Sequence, residues 1–111
     1  MTLYDEMDFT GSLTINGPSV PVSLTTPGQM ARLTFDITST QQVTVRVTDS
    51  TMGFTTVRLL KPNGTEQTAN SSNLSSFNLS TQTLTTPGTY TVVVDPSSTN
   101  TGGITVAVTN P

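Results

Sequence analysis

Apolar residues recur at every second position through most of this chain. The runs are Ala31, Leu33, Phe35, Ile37; Val43, Val45, Val47; Tyr90, Val92, Val94; and Ile104, Val106, Val108. A period of two sends alternate side chains to opposite faces of an extended backbone, so each run predicts a half-buried β-strand. Shorter runs precede them: Phe9, Leu13, Ile15, with Gly11 at one inward position, then Val20, Val22, Leu24. No window follows a helical period, and Thr, Val and Gly are poor helix formers. The pentapeptide Leu-Thr-Thr-Pro-Gly occurs twice, at 24–28 and 84–88, each time ahead of an alternating run. Pro27-Gly28 and Pro87-Gly88 therefore end one strand and turn the chain into the next.

Between these runs, Val57 and Leu59 lead into Lys61-Pro62-Asn63-Gly64. Proline presets that turn and glycine takes positive φ, so a tight hairpin is predicted. Residues 65–69 return as a polar strand, at an edge or on an exposed face, and 70–76 read as polar loop. The fold class that follows is all-β: an antiparallel two-sheet β-sandwich, jelly-roll- or immunoglobulin-like, with about eight strands. Residues 1–10 read as a linker or the tail of a preceding repeat, and 11–111 as one sandwich domain. Tyr90 enters its strand just after a Pro-Gly turn and shares a face with Val92 and Val94, which predicts a tyrosine-corner arrangement rather than a ligand contact.

Composition sharpens this picture. Only 32% of residues are hydrophobic and 10% charged, yet the chain holds 25 Thr and 12 Ser. β-branched Thr suits a half-buried pleated surface, so the polar face is coated with hydroxyls instead of charge. The net charge is −3, and the four cations, Arg32, Arg46, Arg58 and Lys61, are scattered. They make no basic patch, which argues against nucleic acid as a partner and against an anionic membrane surface. No apolar run approaches the ~18 residues that a spanning helix needs, so membrane insertion is not expected. Any export signal is expected upstream of Met1.

Chemistry has few candidates. Histidine and cysteine are absent, which removes the usual general base and the thiol nucleophile. The acidic residues are scattered, so no enzyme and no cofactor is expected. Asp5, Glu6 and Asp8 cluster near the N-terminus and are weak candidates for calcium, although a solvated linker between repeats is the simpler account and no metal is expected. Tyr4, Phe54 and Asn100 are the candidate ligand residues, the two aromatics because sugar rings stack on exposed aromatic faces. Pro27, Gly28, Pro87, Gly88 and Tyr90 are assigned structural roles. The sequons at Asn63, Asn70, Asn73 and Asn78 are what chance supplies in a chain this rich in Ser and Thr.

With the strands placed, several pieces carry a family likeness. They are Pro27-Gly28-Gln29 leading to Ala31-Arg32-Leu33-Thr34-Phe35, then Gln42-Val43-Thr44-Val45, and Val57-Arg58-Leu59-Leu60-Lys61-Pro62-Asn63-Gly64-Thr65. Pro87-Gly88-Thr89-Tyr90-Thr91-Val92-Val93-Val94 and Thr101-Gly102-Gly103-Ile104-Thr105-Val106 complete the set. The layout resembles the bacterial pre-peptidase C-terminal-like domain and related tandem β-sandwich repeats of large surface proteins. The resemblance implies a non-catalytic jelly-roll-like sandwich, extracellular or at the cell surface, beside secreted enzymes or in arrays. Some relatives are thought to bind carbohydrate, collagen or calcium.

The expected function is a structural or interaction module of an exported repeat protein, a spacer or adhesive bead. Its partners would be neighbouring β modules or identical subunits, with a glycan as a further candidate. Two alternatives stand beside it. One is a carbohydrate-binding module centred on the Phe54 loop or the 95–102 loop. The other is a fibre subunit in which residues 2–15 complete a neighbour's sheet.

Overall fold

Alternation along the strands resolves into two facing sheets in a computed structural model that describes residues 9–24, 30–51, 53–96 and 101–110. Ten strands are formed: β1 (Phe9–Ser12), β2 (Val20–Leu24), β3 (Ala31–Ile37), β4 (Gln41–Thr48), β5 (Thr55–Leu60), β6 (Glu66–Ser72), β7 (Phe77–Asn78), β8 (Gln82–Leu84), β9 (Gly88–Pro96) and β10 (Gly102–Thr109). One sheet runs β1-β3-β9-β5-β6; the other runs β2-β10-β4-β7, with β8 also paired to β4. All pairings are antiparallel except β1 with β3. The all-β two-sheet sandwich expected from the sequence is the fold observed, with β9 and β10 inside their sheets rather than at an edge.

The inward rows build one core. Leu33, Leu59, Val57, Val92 and Val94 from the first sheet face Leu24, Val45, Val47 and Val106 from the second, and all are essentially inaccessible to water. Gly11 pairs with Leu33, and a Cβ at Gly11 would stand 2.8 Å from Leu33 Cδ2. The inward position at β1 is thus filled from the neighbouring strand. Phe9, Ile15, Val20 and Phe77 close the margins of the core. β1 begins at Phe9, so residues 9 and 10, placed in the linker by sequence, lie within the sheet.

Two differences from the sequence expectation have physical causes. Ten strands appear instead of about eight because the chain between β6 and β9 lies along β4 in two short pieces. β7 pairs at Arg46 and Val47, β8 at Gln41 to Val43, and Leu79 dips into the core between them, its N–H donating to Val45 O at 2.9 Å. The segment expected to be loop from residue 70 instead continues β6 to Ser72, paired with Thr55. None of the β6 side chains is fully buried, so the strand needs no apolar alternation and its polar sequence resembles a loop. Thr44, on the outward face of β4, is also buried, because Thr81 covers it with a 2.8 Å hydroxyl–hydroxyl bond.

The hairpin over 61–65 forms as its turn residues dictate. Gly64 N donates to Lys61 O at 2.8 Å, Lys61 N donates to Thr65 O at 2.7 Å, and Gly64 sits at φ 91°. Asn63 Oδ1 accepts from both Thr65 N and Thr65 Oγ1, at 3.0 and 2.7 Å, which fixes the turn locally.

Candidate functional site

The sheet register gathers several loops at one end of the sandwich. β5 starts at Thr55, which lies opposite Ser72 of β6 and Pro96 of β9. Phe54 therefore projects from the same end as the segment after Ser72, which carries Leu74. Two long-range ties hold the loop between β4 and β5 in place. Ser50 N donates to Ser75 O at 3.0 Å, and Thr51 N donates to Gly103 O at 2.9 Å while Gly103 N returns a bond to Thr51 Oγ1 at 2.9 Å. Asp49, at φ 55°, supplies the left-handed step that turns the chain off β4.

Phe54 and Leu74 are the exposed large hydrophobic residues among those described, at 48% and 62% accessibility. Thr51, Ser75 and Ser76, on the loop segments that reach this end, are also exposed. Ser50 Oγ is buried there without a hydrogen-bond partner among the described residues. Such an end offers apolar contact beside hydroxyl donors and acceptors, with little charge.

The described carboxylates are dispersed. Glu66 and Asp95 flank Arg58 on the outer face of the first sheet, with Nε–Oε1 at 3.5 Å and Nη1–Oδ2 at 3.4 Å. Asp36 accepts from Thr89 Oγ1 at 2.6 Å across β3 and β9. Among the described residues no three acidic, His or Cys groups come together as a metal site. Lys61 is exposed at the mouth of its hairpin. Among the described residues no helix is long and apolar enough to cross a membrane.

The residues singled out from the sequence fall as follows. Phe54 lies on the loop end just described. Tyr4, Asn100, Asp5, Glu6 and Asp8, and the structural pair Pro27 and Gly28, lie outside the described residues. Pro87 is exposed and Gly88 opens β9 at φ 142°, with space for a Cβ limited by Pro62 Cγ at 3.0 Å. The Tyr90 ring is 1% accessible, and its hydroxyl donates to Thr86 O at 2.9 Å, four residues back. It also stacks on Phe35 with centroids 5.8 Å apart.

Sequence reasoning missed Leu74, whose one signal is a lone large apolar residue inside a polar run. It also missed a seam of amides that ties the open side of the sandwich. Gln67 Nε2 donates to Gln82 Oε1 at 2.9 Å, and Asn70 Nδ2 donates to Asn78 O at 2.9 Å. Each bond joins β6 of one sheet to a strand segment of the other.

No protein-family model and no curated protein matches this sequence. Solved structures do match the fold. The pre-peptidase C-terminal domain of collagenase from Bacillus anthracis superposes with a TM-score of 0.76 at 14% identity, covering 95% of this chain and 99% of that one. The periplasmic inhibitor of g-type lysozyme from Aeromonas hydrophila superposes with a TM-score of 0.59 at 13% identity, covering 92% of this chain and 99% of that one. The chain thus has the β-sandwich fold of a pre-peptidase C-terminal domain.

Proposed function

We propose that this chain is a non-catalytic module of an exported protein, serving as a spacer or adhesive bead between neighbouring domains. The observation that carries the reading is end-to-end likeness to a domain that accompanies a collagenase, at 95% coverage of this chain. The dispersed carboxylates agree with it, since Glu66 and Asp95 are both engaged by Arg58. Fold alone does not assign activity, so the site has to speak as well. Its hydroxyl coat keeps the surface wetted at low charge, and its paired strands resist extension and proteolysis. The likeness to a periplasmic inhibitor fits a location outside the cytoplasm.

A second reading has its own observation. Phe54 stands exposed at an end of the sandwich where Thr51 and Ser75 are exposed too, which suits stacking on a sugar ring with hydrogen bonds at its rim. One experiment separates the two. On a glycan array, the spacer reading expects no saturable binding by the wild-type chain. Saturable binding that Phe54→Ala abolishes would replace it with a carbohydrate-binding module. Turnover of any substrate that depends on a carboxylate would remove both.

A further inference from the structure

Sheets protect their free edges with short strands, proline, lysine or bulges, because an open edge pairs with other chains. Among the described residues, four of the five edge segments carry such protection. β1 has four residues, β2 has Pro21 in its second position, and β7 and β8 have two and three residues. β6 is different. It runs seven residues as Glu-Gln-Thr-Ala-Asn-Ser-Ser, with no proline, no lysine and one charge at its first position. Its single irregularity is the register shift opposite Leu59 and Leu60, which leaves 68–72 regularly paired.

The outward donors of that stretch can be identified. Ser71 N is met by Asn70 Oδ1 at 3.0 Å, and Lys61 N at the end of β5 donates to Thr65 O, so Leu59, Val57 and Thr55 turn their N–H toward β6 while Thr56, opposite Ser71, does not. In an antiparallel ladder inward and outward residues alternate, so Ala69 shares the outward orientation of Ser71. A side-chain oxygen stands where the carbonyl of another strand would sit.

We infer that β6 is a strand-addition edge and that its occupant is β6 of a second copy of this chain, joined antiparallel about a two-fold axis through Asn70. In that register Ala69 faces Ser71 of the other copy twice, giving four backbone hydrogen bonds, and Thr68 faces Ser72. No charge lies between Thr68 and Ser72. The two Glu66 carboxylates stand eight positions apart, roughly 27 Å at ~3.4 Å per residue, well beyond the ~10 Å over which salt leaves charges in contact. A foreign peptide would need pockets for alternate side chains to be bound selectively. β6 offers small polar neighbours that match their own symmetry mates instead. The inference is independent of any ligand at the Phe54 end.

Sedimentation velocity across the micromolar to millimolar range tests it, using the full chain and two variants at the exposed position 69. In the proposed register the two residues at 69 are diagonal neighbours on one face, ~7–8 Å apart. The wild type is expected to shift from monomer to dimer with concentration. Ala69→Lys and Ala69→Glu are each expected to stay monomeric, and an equal mixture of the two to recover the dimer. Ala69→Pro removes an outward N–H that β5 does not use, so it should also abolish the dimer while far-UV circular dichroism stays unchanged. A wild type that remains monomeric throughout overturns the inference. So does a dimer indifferent to charge at 69, or a mixture of the two charged variants that stays monomeric.

Discussion

Replacing Tyr90 by Phe removes one oxygen and leaves every packing contact of the ring in place. The lost bond runs 2.9 Å to Thr86 O, and the ring keeps its stack on Phe35 at 5.8 Å. A hydrogen bond of this kind contributes a net ~0.5–1.5 kcal/mol. Thr86 lies in an exposed turn, so its freed carbonyl can take water and the larger penalty for a stranded buried acceptor does not arise. The expected cost is therefore about 1 kcal/mol. For a chain of this length that lowers the melting temperature by about 4 °C. Tyr90→Ala also empties a site that is 1% accessible, and large aromatic truncations of this type cost about 3–5 kcal/mol. Urea denaturation with an unchanged m-value separates the two effects. If Tyr90→Phe matched the wild type within experimental error, the hydroxyl would have no part in closing the turn. If it cost as much as Tyr90→Ala, the division between ring and hydroxyl would be wrong.

Other substitutions test the backbone and the polar contacts. Gly64→Ala meets nothing within 4 Å but must hold φ 91°, so it should cost about 1–2 kcal/mol by urea denaturation from conformation alone. Gly102→Ala adds to φ 144° a contact of 3.1 Å with Thr51 O, and should cost clearly more than Gly64→Ala; the reverse order would refute the account of both. Thr44→Val deletes the bond to Thr81 at constant shape and should cost about 0.5–1.5 kcal/mol. Adding Thr81→Ala to Thr44→Val should then bring little more, as a double-mutant cycle would show. Arg58→Met loses two half-exposed ion pairs at 3.4–3.5 Å and should cost less than about 1 kcal/mol, with wild-type stability nearly insensitive to added salt in thermal melts.

Legibility in the sequence followed burial. β3, β4, β9 and β10 each have one face against the core, so Ala31 to Ile37 and Val43 to Val47 had to alternate and could be read directly. β6 carries almost no apolar side chains, and β7 and β8 are held by only two and three paired positions, so local pattern could not reveal them. Val93 shows the limit from the other side. It points away from the core, yet it is 5% accessible between Arg58 and Arg32 on the flanking strands, a burial set by register rather than by neighbours in sequence. The candidate site divides the same way. Exposure of Phe54 was readable because it falls outside the alternating runs. That its loop would meet Ser75 and Gly103 follows from which strands lie side by side, and no local pattern encodes that.

The seating of β9 and β10 inside their sheets sets the timetable of assembly. β3 and β5 meet only through β9, and β2 and β4 only through β10, so the first layer cannot close before residue 96 has been made, nor the second before residue 109. Until then the polypeptide can form only partial sheets, β1 with β3, β5 with β6, and β4 with β7 and β8. Both closures come late and are slowed by the distance along the chain between partners. For the same reason a premature stop near residue 88 forfeits both layers at once.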